Sequence, residues 1–273
     1  MANGLLHGKK GIIFGALDEN SIAWKVALKA HEQGATFTLT NAPVAMRFGK
    51  INELGTITGS EIIPADATSM TDLENLFTKS VEVLKSPVDF VLHSIGMSIN
   101  VRKGFPYTEL NHDNYLKAMD ISAVSFHKVL QTAMKLDAIA EGGSVLALSY
   151  IAAQRAFPGY NDMADAKAAL ESIARSFGYY YGKQKKVRDN TISQSPTMTT
   201  AGSGIKGFNR FVEYAEKMSP LGNATAEDCA NFCILMFSDL SKMITMQNLF
   251  HDGGFSQMGV SESIMNLMTD SDE

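Results

Sequence analysis

The stretch KGIIFGALDENSIAWKVALKAHEQG, residues 10–34, decides the fold class. It opens with a short apolar run at 10–15, which predicts a buried strand, and continues with an amphipathic segment at 21–33, which predicts a helix. Gly15 permits a sharp turn between the two, and Ser21 is placed to cap the helix. A strand that turns through a glycine into a helix predicts the first unit of a parallel α/β sheet.

Strand and helix patterns alternate along the rest of the chain. Continuous apolar strands indicate burial on both faces of the sheet, and helices between them indicate parallel crossovers. We therefore expect one α/β domain over residues 1–273, with a Rossmann-like, doubly wound and mainly seven-stranded parallel sheet covered by helices on both faces. The predicted strands lie at 10–15, 35–40, 61–63, 88–93, 143–149, 187–193 and 245–250, and the predicted helices near 21–33, 71–85, 112–136, 159–182 and 225–238.

Composition excludes several classes of protein. A net charge of −5 and a pI near 5.7 argue against a nucleic-acid binder. The two cysteines, Cys229 and Cys233, exclude a disulfide framework, and without further ligands nearby they do not predict a metal site. No stretch approaches the roughly 20 apolar residues that a membrane span needs, and the N-terminus is too short in apolar length for a secretory signal. We expect a cytoplasmic protein with no metal, nucleic-acid or membrane partner.

One segment interrupts the alternation of strands and helices. Residues 196–222 contain two prolines and four glycines and show no strand pattern. Long insertions in compact domains are usually functional, and many close over a substrate. We expect this segment, called the lid segment below, to cover a binding site.

Three loops follow predicted strands where ligands bind in open α/β sheets. Gly15 allows close approach of a pyrophosphate, and the helix that starts at Ser21 and Ile22 offers free N–H groups and a positive dipole end to it. The second loop is Asp66-Ala67-Thr68, whose carboxylate suits an adenine amino group. The third, His93-Ser94-Ile95-Gly96, suits a ribose and a nicotinamide. Alone, the Gly15 loop is equally consistent with an ordinary turn, and Asp66 with a turn cap; together the loops favour a dinucleotide.

Tyr160 and Lys167 stand seven residues apart on the predicted helix at 159–182, two turns apart on one face. Their Cα atoms would lie about 10 Å apart along the axis, which leaves room for a small group between them. A cofactor ribose fits that space, with Lys167 on its hydroxyls and Tyr160 directed at a substrate carbonyl. A surface lysine beside a half-buried tyrosine is an equally ordinary explanation of the spacing.

The pattern around these residues resembles the short-chain dehydrogenase/reductase superfamily and, within it, the bacterial enoyl-acyl-carrier-protein reductases. Most of the superfamily carries Tyr-x3-Lys, whereas the enoyl reductases carry Tyr-x6-Lys after an earlier tyrosine. This chain has Tyr150-x9-Tyr160-x6-Lys167, with Ala164 where the common lysine would stand. The resemblance covers nearly the whole chain. It implies Tyr160, Lys167 and Tyr150 as the catalytic residues, with Tyr150 also contacting the substrate.

The resemblance also assigns binding residues. Cofactor contacts are expected from Gly15, Ser21, Ile22, Asp66, Ala67, Ser94, Ile95, Gly96, Lys167, Pro196, Thr197 and Thr199, and substrate contacts from Met97, Tyr150, Met163, Ala201, Ile205 and Phe208. The family usually has Ala-Gly directly before the proline, where this chain has Gln194-Ser195. It usually has isoleucine directly after the proline, where this chain has Thr197. The end of the second strand, Thr40-Asn41-Ala42-Pro43, lacks the acidic residue that rejects a 2′-phosphate.

The implied activity is reduction of the carbon–carbon double bond of a trans-2-enoyl thioester, the last reductive step of fatty-acid elongation. NADH is the expected cofactor, with NADPH open because of Arg47. Acyl carrier protein is the expected partner, steered by Lys206 and Arg210, and the superfamily implies a homotetramer. The alternatives are a ketone reductase of the same superfamily, which the Tyr–Lys spacing disfavours, and a dinucleotide-sensing protein without catalysis.

Overall fold

The sheet is parallel throughout and carries helices on both faces. The computed structural model describes residues 4–203 and 207–269. Within them the strand order is β2-β1-β3-β4-β5-β6. The strands are β1 Lys10–Phe14, β2 Thr36–Thr40, β3 Val88–His93, β4 Ile139–Ser149, β5 Arg188–Gln194 and β6 Asn248–His251. The predicted doubly wound α/β class is confirmed.

Twelve α-helices occur in the described part of the chain. Buried side chains of α4, α7 and α8 form the core on one face of the sheet, and those of α1, α3 and α11 form it on the other. The helices are α1 Ile22–Glu32, α2 Pro43–Met46, α3 Ile51–Thr58, α4 Met70–Leu84, α5 Ile99–Lys103, α6 His112–Met119, α7 Ser125–Lys135, α8 Asn161–Lys185, α9 Thr200–Ser203, α10 Phe208–Met218, α11 Ala226–Phe237 and α12 Glu262–Thr269. None of these described helices has the length and apolarity to cross a membrane.

The described sheet has six strands where seven were predicted. The missing strand is 61–63, which makes only an isolated parallel bridge between Leu39 and Ile62. Backbone hydrogen bonds from Leu39 N to Glu61 O and from Ile63 N to Leu39 O form this bridge, but they do not extend into a ladder beside β2. β2 is therefore the edge strand of the described sheet.

The predicted helix at 112–136 is interrupted in its middle. A π-helical segment, Asp120–Val124, joins α6 to α7. Such segments insert one residue into a helical register and occur frequently at functional sites. The lid segment, predicted from its glycines and prolines as an irregular insertion, contains the helices α9 and α10.

The order of the strands sets the position of the site. The chain passes from β1 outward to β2 and then returns to place β3 on the other side of β1. The reversal of direction between β1 and β3 is the topological switch point, where open α/β sheets bind ligands at the carboxyl ends of the strands. Gly15 follows β1 at this edge, and Ser94 follows β3.

Candidate active site

Gly15 and Ser94 bring two of the predicted loops into contact. Gly15 has a φ of +92°, in the region that favours glycine, and a Cβ placed there would lie 2.0 Å from the backbone oxygen of Ser94. No other residue type fits at this position without movement of the backbone. The strand-to-helix turn therefore stays narrow, and its backbone remains accessible for close approach by a ligand.

Ser21 is the N-cap residue of α1, as predicted, but its side chain does not cap the helix. Its hydroxyl accepts a hydrogen bond from Leu17 N at 3.2 Å and donates to Asp18 O at 2.7 Å, so it shapes the loop instead. The first-turn N–H groups of Ile22 and Ala23 precede any intrahelical acceptor. These groups and the positive end of the helix dipole suit an anion.

Asp66 caps a turn, which is the alternative to an adenine contact that the sequence left open. Asp66 Oδ1 accepts hydrogen bonds from Thr68 N at 2.9 Å and Thr68 Oγ1 at 2.7 Å, which is the geometry of a turn cap. These bonds hold the loop beside α4, and Ala67 is 6% exposed. An adenine contact by Asp66 or Ala67 stays a prediction.

Lys167 is buried next to the loop that follows β3. Its side chain is on α8, and its Nζ donates to Leu148 O at 2.7 Å, near the end of β4. A Cβ placed on the exposed Gly96 would lie 3.7 Å from this nitrogen. Burial lowers the pKa of Lys167 to about 8, while the neighbouring Glu171 carboxylate raises it. An ammonium has three donors, so Lys167 can still serve a ligand over Gly96.

Tyr150 and Tyr160 lie side by side at the carboxyl end of β4. Their ring centroids are 4.9 Å apart, and the Tyr150 ring also packs edge-on against Phe157 at 5.4 Å. Burial raises the pKa of both phenols, and Tyr160 contributes to the rise for Tyr150. Both side chains are therefore protonated at neutral pH and act as hydrogen-bond donors.

The residues after Tyr160 fix the start of α8, and sequence reasoning missed them. Asn161 has a φ of +47°, unusual for a residue other than glycine, and its Nδ2 donates to Phe105 O at 2.6 Å. Asp162 is fully buried and accepts from Ser98 Oγ at 2.6 Å and Asn100 Nδ2 at 2.8 Å. In sequence Asp162 looks like an ordinary first-turn acidic residue, because its partners are more than 60 positions away.

Ser122, in the π-helical segment, joins two of the predicted substrate residues. Its Oγ accepts from Met97 N at 3.0 Å, and its one proton lies within reach of both Met97 O at 3.3 Å and Met163 Sδ at 3.6 Å. The Met163 methyl also lies against Gly96, 3.3 Å from where a Cβ would stand. Met163, Gly96 and the backbone of Met97 therefore lie next to one another, close to Lys167.

His93 closes the core below this wall. Its Nε2 is 2.9 Å from Ser125 Oγ, which donates to Ile121 O at 2.6 Å. Because the Ser125 proton is used in that way, Nε2 carries the hydrogen and His93 is the donor. Burial, followed by repulsion from Lys167, lowers the pKa of His93 to about 3, so the ring is neutral. Ile95 is partly buried against the same core.

The loop after β5 is held by side chains from three directions. Pro196 is buried, and its carbonyl accepts from Asn223 Nδ2 at 2.7 Å. Thr197 Oγ1 accepts from Gln194 Nε2 at 3.2 Å. Thr199 Oγ1 accepts from Gly202 N at 3.0 Å, which starts the short helix α9. The loop thus enters the lid segment already ordered.

The remaining predicted substrate residues lie in the lid segment. Phe208 is partly buried, and its ring would be 2.9 Å from a Cβ placed on Gly202. The backbone of Ala201 belongs to α9, but its side chain lies outside the described residues, as do Ile205 and Lys206. Thr200 Oγ1 donates to Asp18 Oδ2 at 2.6 Å, so α9 is tied to the loop before α1.

Two phenols and a buried ammonium, placed beside a glycine turn at the switch point of a doubly wound sheet, define a nicotinamide-dependent reductase of the short-chain dehydrogenase/reductase class. Residues 15–256 match the family described as Enoyl-(Acyl carrier protein) reductase, and the chain belongs to this family. The resemblance inferred from the Tyr-x6-Lys pattern is confirmed.

Individual relatives agree with the family match. The chain is 34% identical over 258 residues to an enoyl-acyl-carrier-protein reductase (NADH) 2 of Rhizobium meliloti, covering 93% of this chain and 94% of the relative. It is 30% identical over 253 residues to the NADH enoyl-acyl-carrier-protein reductase FabI of Bacillus subtilis, covering 92% and 96%. The crystal structure of the FabI–NADH complex from Alistipes finegoldii superposes with a TM-score of 0.94 at 60% identity, covering 96% of this chain and 92% of that one.

Proposed function

We propose that this chain uses NADH to reduce the carbon–carbon double bond of trans-2-enoyl thioesters carried on acyl carrier protein. The observation that carries the proposal is the placement of Tyr150 and Tyr160 beside each other, with Lys167 buried next to Gly96. The relatives named as NADH-dependent enoyl-acyl-carrier-protein reductases support the cofactor and the reaction. This is the last reductive step of the fatty-acid elongation cycle.

The residues at the switch point fit NADH. The contact between Gly15 and Ser94 O leaves no room for a side chain under the pyrophosphate, and the first turn of α1 supplies N–H donors to it. Lys167, next to Gly96, would hold the ribose, and Pro196, Thr197 and Thr199 would hold the nicotinamide. Asp66 and Ala67 would hold the adenine. NADH, when bound, supplies a hydride to the β-carbon of the substrate.

The residues of the chain stabilise the charge that this transfer creates. Addition of a hydride at the β-carbon would move the electrons of the double bond toward the thioester oxygen, and a proton delivered from water to the α-carbon would complete the reduction. Tyr160 donates a hydrogen bond to the oxygen, a preorganised form of oxyanion stabilisation. Lys167 holds the ribose hydroxyls, and its positive charge favours the anion. Tyr150 positions the thioester.

The acyl chain occupies an apolar slot between the sheet edge and the lid segment. Met97, whose backbone is held by Ser122, and Met163, whose sulfur lies 3.6 Å from the same hydroxyl, would form one wall of the slot. Phe208, at the start of α10, packs against Gly202 of α9. Ala201 and Ile205 complete the set of substrate-binding residues proposed from the resemblance. Closure of the segment at 196–222 excludes water from the site, which strengthens the electrostatic effect of Tyr160 and Lys167.

The partner and the assembly belong to the same proposal. Arg210 is exposed on α10, and together with Lys206 it offers a positive rim to an acidic carrier protein. The chain acts in the cytoplasm as one domain that assembles into a homotetramer. NADH is the proposed cofactor, and NADPH stays the open alternative, because Arg47 is exposed and β2 is followed by Asn41, a neutral residue whose Nδ2 donates to Ala16 O at 3.2 Å.

The test is the loss of NADH absorbance in the presence of a short trans-2-enoyl thioester, with NADPH run alongside. Tyr160→Phe is expected to lower turnover about 100-fold or more, since positioned proton donors contribute on that scale. Its NADH dissociation constant should change less than about twofold, because the phenol does not hold the cofactor. Tyr179→Phe, an exposed phenol on the same helix, is the matched control.

Unchanged turnover in Tyr160→Phe would contradict the role given to this phenol. Reduction of ketones without reduction of enoyl thioesters would favour the ketone reductase. Cofactor binding with no turnover on any enoyl thioester would favour the sensor.

A further inference from the structure

We propose that Gln194 and His251 form a positioning pair that holds the backbone of Thr197 in place against the nicotinamide. Gln194 is the last residue of β5 and is 4% exposed, and His251, the last residue of β6, pairs with it across the sheet. Neither belongs to the residues assigned above to catalysis or binding. The inference rests on the proposed function only in placing the nicotinamide beside Thr197.

The hydrogen bonds of Gln194 fix the orientation of its amide. Nε2 faces Thr197 Oγ1 at 3.2 Å and the carbonyl oxygens of Ala224 at 3.3 Å and Thr225 at 3.5 Å. Carbonyl oxygens only accept, so the NH₂ group must stand on that side. Oε1 then faces His251 Nδ1 at 2.7 Å, which makes Nδ1 the protonated nitrogen of the ring.

His251 is itself held from two sides. Its ring stacks on Phe232 of α11 with centroids 5.0 Å apart and planes 13° apart. Its backbone oxygen accepts from Ser195 N at 3.1 Å. The pair therefore joins the ends of β5 and β6 to α11, and none of these elements can move alone without breaking a contact to Gln194.

Thr197 is held in place by its hydrogen bond with Gln194. Its Oγ1 accepts from Gln194 and donates to Ser195 O at 2.9 Å, so the hydroxyl is engaged within the protein. What this residue offers to a ligand is its backbone. Two of the three departures from the family pattern around Pro196, the glutamine at 194 and the threonine at 197, are thus bonded to each other. An alanine and an isoleucine at these positions could not form this link.

The experiment compares NADH with ADP-ribose, which lacks the nicotinamide, as ligands of the full chain. In Gln194→Met, which keeps the length of the side chain but loses its hydrogen bonds, the NADH dissociation constant is expected to rise about tenfold, the equivalent of about 1.4 kcal/mol. The ADP-ribose dissociation constant should stay within about twofold. Thr197→Val should have the same effect, and the double variant should be no weaker than either one, because both remove the same link.

Thr191→Val is the matched control. Thr191 is buried on β5, and its hydroxyl donates to Asn248 Oδ1 of β6 at 2.9 Å. The variant therefore loses a side-chain hydrogen bond between the same two strands, but at a place away from the loop at 195–199. It should leave both dissociation constants unchanged.

Equal weakening of NADH and ADP-ribose would overturn the inference, since it would indicate a general effect on the fold. Unchanged NADH binding in both variants would overturn it too. If Gln194→Met fails to fold, Thr197→Val on the partly exposed loop decides alone. Because the readout is binding, failure of the enoyl reductase assay would not be mistaken for failure of this pair.

Discussion

The ammonium of Lys167 is the residue whose charge the proposed chemistry needs most. Because burial lowers its pKa to about 8, the cationic form is lost as pH rises through that value in the enzyme without ligands. We expect kcat/KM for NADH to be level below pH 8 and to fall above it. This parameter reports the pKa values of the free enzyme, so it is the quantity to measure across the pH range.

Lys167→Arg provides the comparison, because a guanidinium stays charged over the whole range. The absolute activity of the variant should be lower, since the arginine guanidinium does not reproduce the contact of the lysine Nζ with Leu148 O. The fall in kcat/KM above pH 8 should disappear. A variant profile that still declines there would assign the titration to another group.

Sequence predicts some residues of the site much better than others. Tyr150, Tyr160 and Lys167 follow a spacing within one short region, and a spacing can be seen without a structure. Asp162 and Gln194 matter through partners as far as 57 to 64 positions away, such as Ser98 and His251, and no local pattern carries that information. The cofactor and substrate contacts assigned by resemblance remain predictions.

At the scale of elements, the turn from β1 to α1 depends on Gly15. Gly15→Ala places a Cβ against Ser94 O and imposes a positive φ on alanine. We expect the loop to open and the NADH dissociation constant to rise by about tenfold or more. The measurement is fluorescence titration of NADH with each purified variant.

Gly59→Ala is the control for backbone strain alone. Gly59 ends α3 with a φ of +65°, and a Cβ there meets nothing within 4 Å. This variant should lose about 1–2 kcal/mol of unfolding free energy and keep its NADH affinity. Equal losses of NADH affinity in the two variants would mean that the approach to Ser94 is unimportant.

The strands and long helices were predictable, because apolar runs and helical periodicity are local properties of the sequence. The prediction of a strand at 61–63 was wrong, because the backbone bonds of this run to β2 make a single bridge, between Leu39 and Ile62, and no ladder. The helices of the lid segment, α9 with four residues and α10 with eleven, were not predicted, because glycines and prolines surround them. Thr199 precedes α9, and Gly207 precedes α10. In sequence, helix starts of this kind are not distinguishable from an irregular loop.

For the molecule as a whole, a buried carboxyl group far from the site limits stability. Asp189 lies near the amino end of β5, is fully buried, and has no hydrogen-bond partner for either carboxyl oxygen among the described residues. Burial raises its pKa well above the usual value. The folded protein then holds a proton that the unfolded chain has released, so the free energy of unfolding decreases as pH rises from about 4 toward the raised pKa.

Asp189→Asn removes this titration with little change in shape. We expect the variant to be about 1–3 kcal/mol more stable than the parent at pH 8, and the gain to shrink as the pH is lowered to 5. Urea denaturation at both values measures it, with the exposed Glu109→Gln as a control that should change nothing. A gain that is the same at the two pH values would argue against ionisation of Asp189.

The π-helical segment restricts which insertions and deletions the lineage of this protein can accept. Ser122 faces Met97 and Met163, while Ser125, three positions later, faces His93. Removing one residue from Asp120–Val124 would narrow this wide turn to that of a regular helix, which keeps α6 and α7 in their orientation but shifts the residues within the turn by about 100° around the axis. One of the two serines would then lose its partners. Descendants of this chain should therefore vary in the identity of residues in this segment while keeping its length.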